Sequence, residues 1–248
     1  MDRNKYSAIA HRDHVFSNPI SSAKINKLIN LIALKSENKI IDIGAGTCEL
    51  PIRFIEKYNV SATAIELYQG SIDKGKQRAN GRIPMEKIDF IHADAKTVIE
   101  KFSDNHFELG ICIGSTHAIG DLSSTLKALK KCVKKDGFIL IAEGYWKQPP
   151  SSDYLNALGA EESELKSHYE NIQVGESLGL IPLWSFTASD DDWDNYEWLY
   201  AMSVENYCFE NAKDPDCPEM LEKIRSWKQT YNKWGRDTLG FGLYLFRK

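Results

Sequence analysis

Three acidic residues each close a short apolar run: Asp42 in IIDIG, Glu66 in AIEL and Asp94 in IHAD. Gly44 and Gly46 follow the first of them, where a glycine turn lets the backbone approach a ligand with no Cβ in the way. A helix starting just beyond would point its N-terminus at the same place. Glu66 stands 20 residues after Gly46, the position from which a carboxylate can accept hydrogen bonds from both ribose hydroxyls of an adenosine. Asp94 is suited to an adenine amino group. Leu67, Ala95 and Ile113 sit beside these acids, or at the next such end, and are expected to share the site. Any one of these carboxylates is an ordinary exposed strand end; three in succession point to an adenosine pocket.

The spacing also selects the cofactor. A dinucleotide fingerprint needs a third glycine three residues after the second, and Glu49 stands there, where it would repel a pyrophosphate. A cofactor with adenine, ribose and a zwitterionic amino acid but no phosphate fits better, and S-adenosylmethionine meets that description. Asp42 is then expected near its ammonium group.

Chemistry on an acceptor would fall to residues leaving neighbouring strands at the same edge. The segment Gly114–Gly120 carries His117, either a base or a residue that orients its own loop. Glu143, Tyr145 and Trp146 leave the next strand, and an aromatic pair there can wall a pocket or simply pack. His117 and Tyr145 are the catalytic candidates. His11, Asp13 and His14 are close in sequence, but no matching further ligands accompany them, so no metal site is expected. Instead Tyr6, His14 and Asn18 mark residues 1–19 as a lid over the cofactor.

These residues require a particular set of elements. Runs at 39–44, 61–67, 88–94, 106–114 and 137–143 read as strands, alternating with helical patterns at 20–33, 50–55, 69–80, 95–100 and 122–134. Such alternation predicts a parallel sheet covered on both faces. After Pro149-Pro150 the pattern changes. Residues 151–178 read as broken helix, 180–189 and 239–248 as strands, and 190–235 as a helical insertion rich in Trp and Tyr. Trp193, Tyr196, Tyr200, Val204 and Tyr207 recur at helical steps, a face that is mostly core and partly a roof over the acceptor. Asp190, Asp191 and Asp192 suit a helix N-terminus.

The 248 residues include 31 Lys and Arg against 35 Asp and Glu, a balance that disfavours a broad nucleic-acid surface. No apolar run is long enough to span a bilayer, and no signal peptide is read. Five scattered cysteines without a C-x-x-C argue against a disulfide framework and suit a cytoplasmic protein.

The stretch Asp42-Ile43-Gly44-Ala45-Gly46, with Glu66, Asp94, CIGSTHAIGD and GFILIAEGYW, resembles class I S-adenosylmethionine-dependent methyltransferases. The segment from His14 to Pro19, the E-x-Y-W strand end and the final WGRDTLGFGLYLF are similar to a poorly characterised bacterial small-molecule group within them. The resemblance implies a Rossmann-like α/β fold with a seven-stranded, mostly parallel sheet. Its last strand would be antiparallel and form a hairpin with the strand before. It also implies one domain over residues 1–248, with 190–235 as cap, and in-line methyl transfer to a small molecule. Cys48 departs from the pattern, where many of these enzymes have a third glycine. Rival readings are a nucleic-acid or protein methyltransferase, a nicotinamide enzyme and a non-catalytic cofactor binder. Against the first, GSTH stands where base-amino methyltransferases carry N-P-P-Y or D-P-P-Y. The acceptor atom and the oligomeric state are left open.

Overall fold

A computed structural model describes residues 1–248. The chain opens with helices α1 (Arg3–Ala10) and α2 (Ser22–Leu31), then alternates β1 (Lys39–Ile43), α3 (Glu49–Tyr58), β2 (Ser61–Glu66), α4 (Gln69–Ala79), β3 (Ile88–His92), α5 (Ala95–Val98), β4 (Phe107–Ile113), α6 (Leu122–Cys132) and β5 (Val133–Trp146). The remainder is α7 (Ser152–Leu158), α8 (His168–Ser177), β6 (Ile181–Thr187), α9 (Asp190–Glu210), α10 (Cys217–Thr230), a π-helical turn Tyr231–Gly235, α11 (Arg236–Thr238) and β7 (Leu239–Arg247).

The seven strands form one sheet in the order β3-β2-β1-β4-β5-β7-β6. The first five are parallel, while β7 runs antiparallel to both β5 and β6. Ile40, Ile41 and Ile43 are fully buried because helices cover both faces of β1, which is why that strand is a continuous apolar run. The chain reverses direction of travel across the sheet between β1 and β4, and an open α/β sheet has its binding crevice at such a point. The strand content matches the sequence expectation. The β6–β7 pair is reached through the whole α9–α11 insertion and not through a tight turn.

Residues 1–19, expected as a lid, pack in part against the insertion. They begin with a regular helix, capped by Asp2 onto the Asn4 amide at 2.7 Å. Tyr6 and Ala10 of α1 pack with Ala201, Val204 and Cys208 of α9 and with Met220 and Ile224 of α10. Only two residues of α1 are buried, too few for helical periodicity to show in the sequence. The N-terminal helix is thus part of the cap. α9 is closed at its start by a reciprocal capping box between Ser189 and Asp192.

Candidate functional site

The turn after β1 uses three left-handed residues: Gly44 (φ +66°), Gly46 (φ +54°) and Cys48 (φ +59°). Gly44 lies so close to Ser115 that an added Cβ would sit 2.4 Å from the serine Cβ, whereas one on Gly46 would meet nothing within 4 Å. Gly46 therefore faces open space, and Gly44 is forced by the neighbouring strand end. Cys48 occupies the position of the expected third glycine and keeps its backbone conformation. Its side chain is fully buried, and its Sγ would lie 3.0 Å from a Cβ on Gly75 of α4.

Glu66, at the end of β2, braces this turn. Its Oε2 accepts from the Gly46 amide at 2.9 Å, and its Oε1 from the Tyr68 amide at 2.9 Å. Asp42 is 4% exposed and lies in register with Ala64 of β2 and Ile111 of β4, at the point where the sheet order reverses. Burial, and then the charge of Glu66, push its pKa well above the carboxylate range, and no hydrogen bond offsets the shift. Such a carboxylate suits a cationic partner.

Asp42, Gly44, Gly46, Glu66 and Ile113 line one cleft of 270 Å³ together with Phe16, Ser17 and Asn18. A larger cavity of 580 Å³ lies beside it, walled by Tyr6, Trp193, Tyr196, Glu197, Tyr200, Trp227 and Phe241. His11, Ser17, Asn18 and Gly114 line both. The N-terminal segment is therefore a partition, anchored by Arg78 of α4. The Arg78 guanidinium donates to the carbonyls of His14 (2.9 Å) and Val15 (2.8 Å) and to the Thr47 hydroxyl (2.7 Å).

On the partition, His11 donates through Nδ1 to the Ser7 carbonyl at 3.0 Å, so its Nε2 accepts from the Tyr196 hydroxyl at 2.9 Å. Burial lowers its pKa to about 4, leaving the ring neutral near pH 7. Glu197 is 6% exposed and accepts from Trp227 Nε1 at 2.6 Å; burial raises its pKa to about 7. The indole N–H of Trp193 is buried with no partner.

Several residues singled out from sequence lie elsewhere. Tyr6 lines the larger cavity and not the cofactor-sized cleft. His14 donates to the Tyr196 carbonyl at 3.0 Å and faces neither space. Leu67 is 68% exposed, Asp94 caps α5 onto the Lys96 amide, and Ala95 is buried in that helix. These three follow β2 and β3, beyond the lining of the cleft. His117 is exposed on a 3₁₀ turn, because Thr116 is the residue turned inward, bonding Glu143. Tyr145 pairs with Gly240 and packs its ring over that glycine, since β7 has inserted beside β5. Neither His117 nor Tyr145 lines either cavity. The residues that sequence reasoning missed include Glu197. Its one signal was a carboxylate at the i+4 step from Trp193, on a face otherwise read as core.

Residues 40–137 match the methyltransferase domain family. Over 98% of its length the chain is 23% identical to the uncharacterized protein YjhP of Escherichia coli (strain K12), 98% of which is covered. A solved structure of an S-adenosylmethionine-dependent methyltransferase from Geobacter sulfurreducens, in complex with S-adenosyl-L-homocysteine, superposes with a TM-score of 0.89 at 25% identity. It covers 98% of this chain and 97% of that one. A second such enzyme from Thiobacillus denitrificans, also in complex with S-adenosyl-L-homocysteine, gives 0.88 at 23% identity, over 99% and 98% of the two chains.

Proposed function

We propose that this chain, a class I S-adenosylmethionine-dependent methyltransferase, methylates a small, partly apolar molecule held in the 580 Å³ cavity. The observation that carries this reading is the shared wall: His11, Ser17, Asn18 and Gly114 line both the glycine-turn cleft and the aromatic cavity. Spaces that share a border would bring an acceptor in one next to a cofactor in the other.

Asp42, Gly44, Gly46, Glu66 and Ile113 would hold the cofactor, with Leu67, Asp94 and Ala95 at the outer rim toward the adenine. The turn fits it: Asp42 has no protein donor and suits an ammonium, and the space in front of Gly46 admits a ligand against the backbone. When bound, the cofactor supplies a sulfonium methyl open to in-line attack, for which alignment and exclusion of water matter most. The partition supplies both. Asn18 and Ser17 border the junction, and the neutral His11, fixed by Ser7 and Tyr196, presents a rigid edge there.

Of the two roles open to His117, its exposed turn favours orienting the 114–120 loop over acting as base. Tyr145 serves as packing beneath β7. Residues 1–19 act as a closing segment strapped by Arg78, and the chain is one domain with α1 and 190–235 as its cap. A cavity of this size lined by aromatic rings and a net charge of −4 count against nucleic-acid and protein acceptors. Five buried, unpaired cysteines support a reducing, cytoplasmic setting; no helix is long and apolar enough to cross a membrane.

The test is transfer of isotope-labelled methyl from S-adenosylmethionine across a broad small-molecule panel, with intact RNA, DNA and folded proteins alongside. Turnover confined to small molecules supports the reading. Efficient methylation of a macromolecule, with none across the panel, overturns it.

A further inference from the structure

Glu197 is the anionic side chain on the wall of the larger cavity, and it is more than nine-tenths buried. One of its oxygens accepts from Trp227; the other has no protein donor, and no lysine, arginine or histidine is paired with it. Around it stand the rings of Tyr6, Trp193, Tyr196, Tyr200 and Trp227. A buried carboxylate without a cation is costly, and natural structures almost always pair it. Here the place for the pair is a space, not a side chain.

We infer that the methyl acceptor carries a protonated amine, seated against Glu197 within this set of tryptophan and tyrosine rings. The inference rests on the reading of the cavity as the acceptor site and names the chemical class of its occupant. Ring faces attract ammonium groups, and the protein already uses one of these rings that way: Lys223 Nζ lies 4.5 Å from the centre of the Tyr6 ring. Lys223 is itself exposed, so the solvent side of the cavity has its cation while the buried side has none. An anionic acceptor would disfavour the ionised carboxylate, and a neutral one would gain nothing from it, whereas an ammonium pairs with it.

The other titratable groups near Glu197 stay neutral around pH 7. Burial raises the phenol pKa values of Tyr6, Tyr154, Tyr196, Tyr200 and Tyr231, and His11 is already deprotonated. Binding of an ammonium near pH 7 should therefore release a proton from Glu197 alone.

The experiment is calorimetry on the S-adenosylhomocysteine-loaded enzyme with arylalkylamines such as 2-phenylethylamine, each matched to its isosteric alcohol. The expected result is tighter binding of the amine by about 10-fold or more, with proton release seen as a heat that changes between buffers of different ionisation enthalpy. Glu197→Gln should bring amine and alcohol within about 3-fold of each other and abolish the proton release. Trp227→Phe removes the indole donor but keeps the carboxylate, and should retain the preference. Thermal melting confirms that both variants fold. Equal binding of amine and alcohol to the wild type, or a preference that survives Glu197→Gln, overturns the inference while leaving the cavity as acceptor site. Failure of both classes to bind a protein that does bind S-adenosylhomocysteine overturns the two together.

Discussion

The Tyr196 hydroxyl donates a 2.9 Å hydrogen bond to Nε2 of His11, joining the cap helix to the segment that divides the two cavities. Tyr196→Phe leaves that nitrogen without its donor. We expect turnover to fall by about 5- to 100-fold, the range for a buried polar group left unpaired, with cofactor affinity changed less than about 3-fold. His11→Ala should weaken both, because its side chain borders both spaces. Steady-state kinetics on an acceptor found by screening, with calorimetry for the cofactor, separates the two effects. Equal losses of affinity in both variants would contradict this arrangement.

Glu66 has two duties, bracing the Gly46 and Tyr68 amides and facing the cleft. Glu66→Ala should weaken S-adenosylhomocysteine binding by about 1.5–3 kcal/mol through lost charge-assisted hydrogen bonds. It should also lower the melting temperature. Unchanged affinity in the folded variant would remove Glu66 from the cofactor site.

The two glycines of the turn should respond differently. Gly46→Ala meets only open space, so its cost is left-handed strain of about 1–2 kcal/mol, together with a methyl group projecting into the cleft. The protein should fold and bind cofactor poorly. Gly44→Ala adds a collision with Ser115 and should lose about 1–3 kcal/mol more in urea unfolding. Equal stability of the two variants would show that Ser115 yields freely.

Two groups, Glu197 buried and His11 half-buried, impose opposite pH slopes on stability. Glu197 is raised to about 7, above its ordinary 4.5, so the folded state holds a proton that the unfolded chain has released. Its contribution is complete below about pH 4.5 and declines as pH rises to about 7. His11 is lowered to about 4 from 6.5, so its contribution is lost as pH falls through that window. Glu197→Gln should therefore raise stability at pH 8 by up to about 3 kcal/mol and change it little at pH 4.5. Melting curves at both values test the sign; a larger gain at the acid end would contradict the burial of this carboxylate.

Arg78 holds two carbonyls of the dividing segment and the Thr47 hydroxyl. Arg78→Met should speed amide hydrogen exchange over residues 12–18 by about 10-fold or more, with α2 unaffected. In the wild type, cofactor should slow exchange in the same residues. Identical exchange with and without cofactor would count against a closing role.

The glycine-turn cleft was readable because it is local. Asp42, the glycine turn and Glu66 belong to one strand-helix-strand unit, and the spacing of its turns is a property of consecutive residues. The aromatic cavity is not local. His11 meets Tyr196 across 185 residues, and no periodicity reports such a contact. Sequence placed His117 in the loop after β4 and Tyr145 near the end of β5, since a loop must leave a strand at its end. It did not say which side chain of the turn points inward: Thr116 does, and His117 does not. Tyr145 was displaced from the expected role because β7 lies against it. Glu197 was hidden among the aromatics of its own helix, where the pattern reads as core.

The position of β7 sets the order in which the molecule can be finished during its synthesis. Residues 239–247 lie between β5 and β6, and both strands emerge from the ribosome well before them. Until β7 arrives, β5 is paired on its β4 side only and β6 has no strand beside it, and unpaired edges of this kind are where chains aggregate. α1, made first, likewise waits for α9 and α10 before Tyr6 and Ala10 are covered. The glycine turn can thus form early on β1, β2 and β4, while the aromatic cavity comes into being only when the insertion and β7 have followed. A ribosome stalled in the insertion would display the five-stranded parallel part of the sheet with β5 as an open edge.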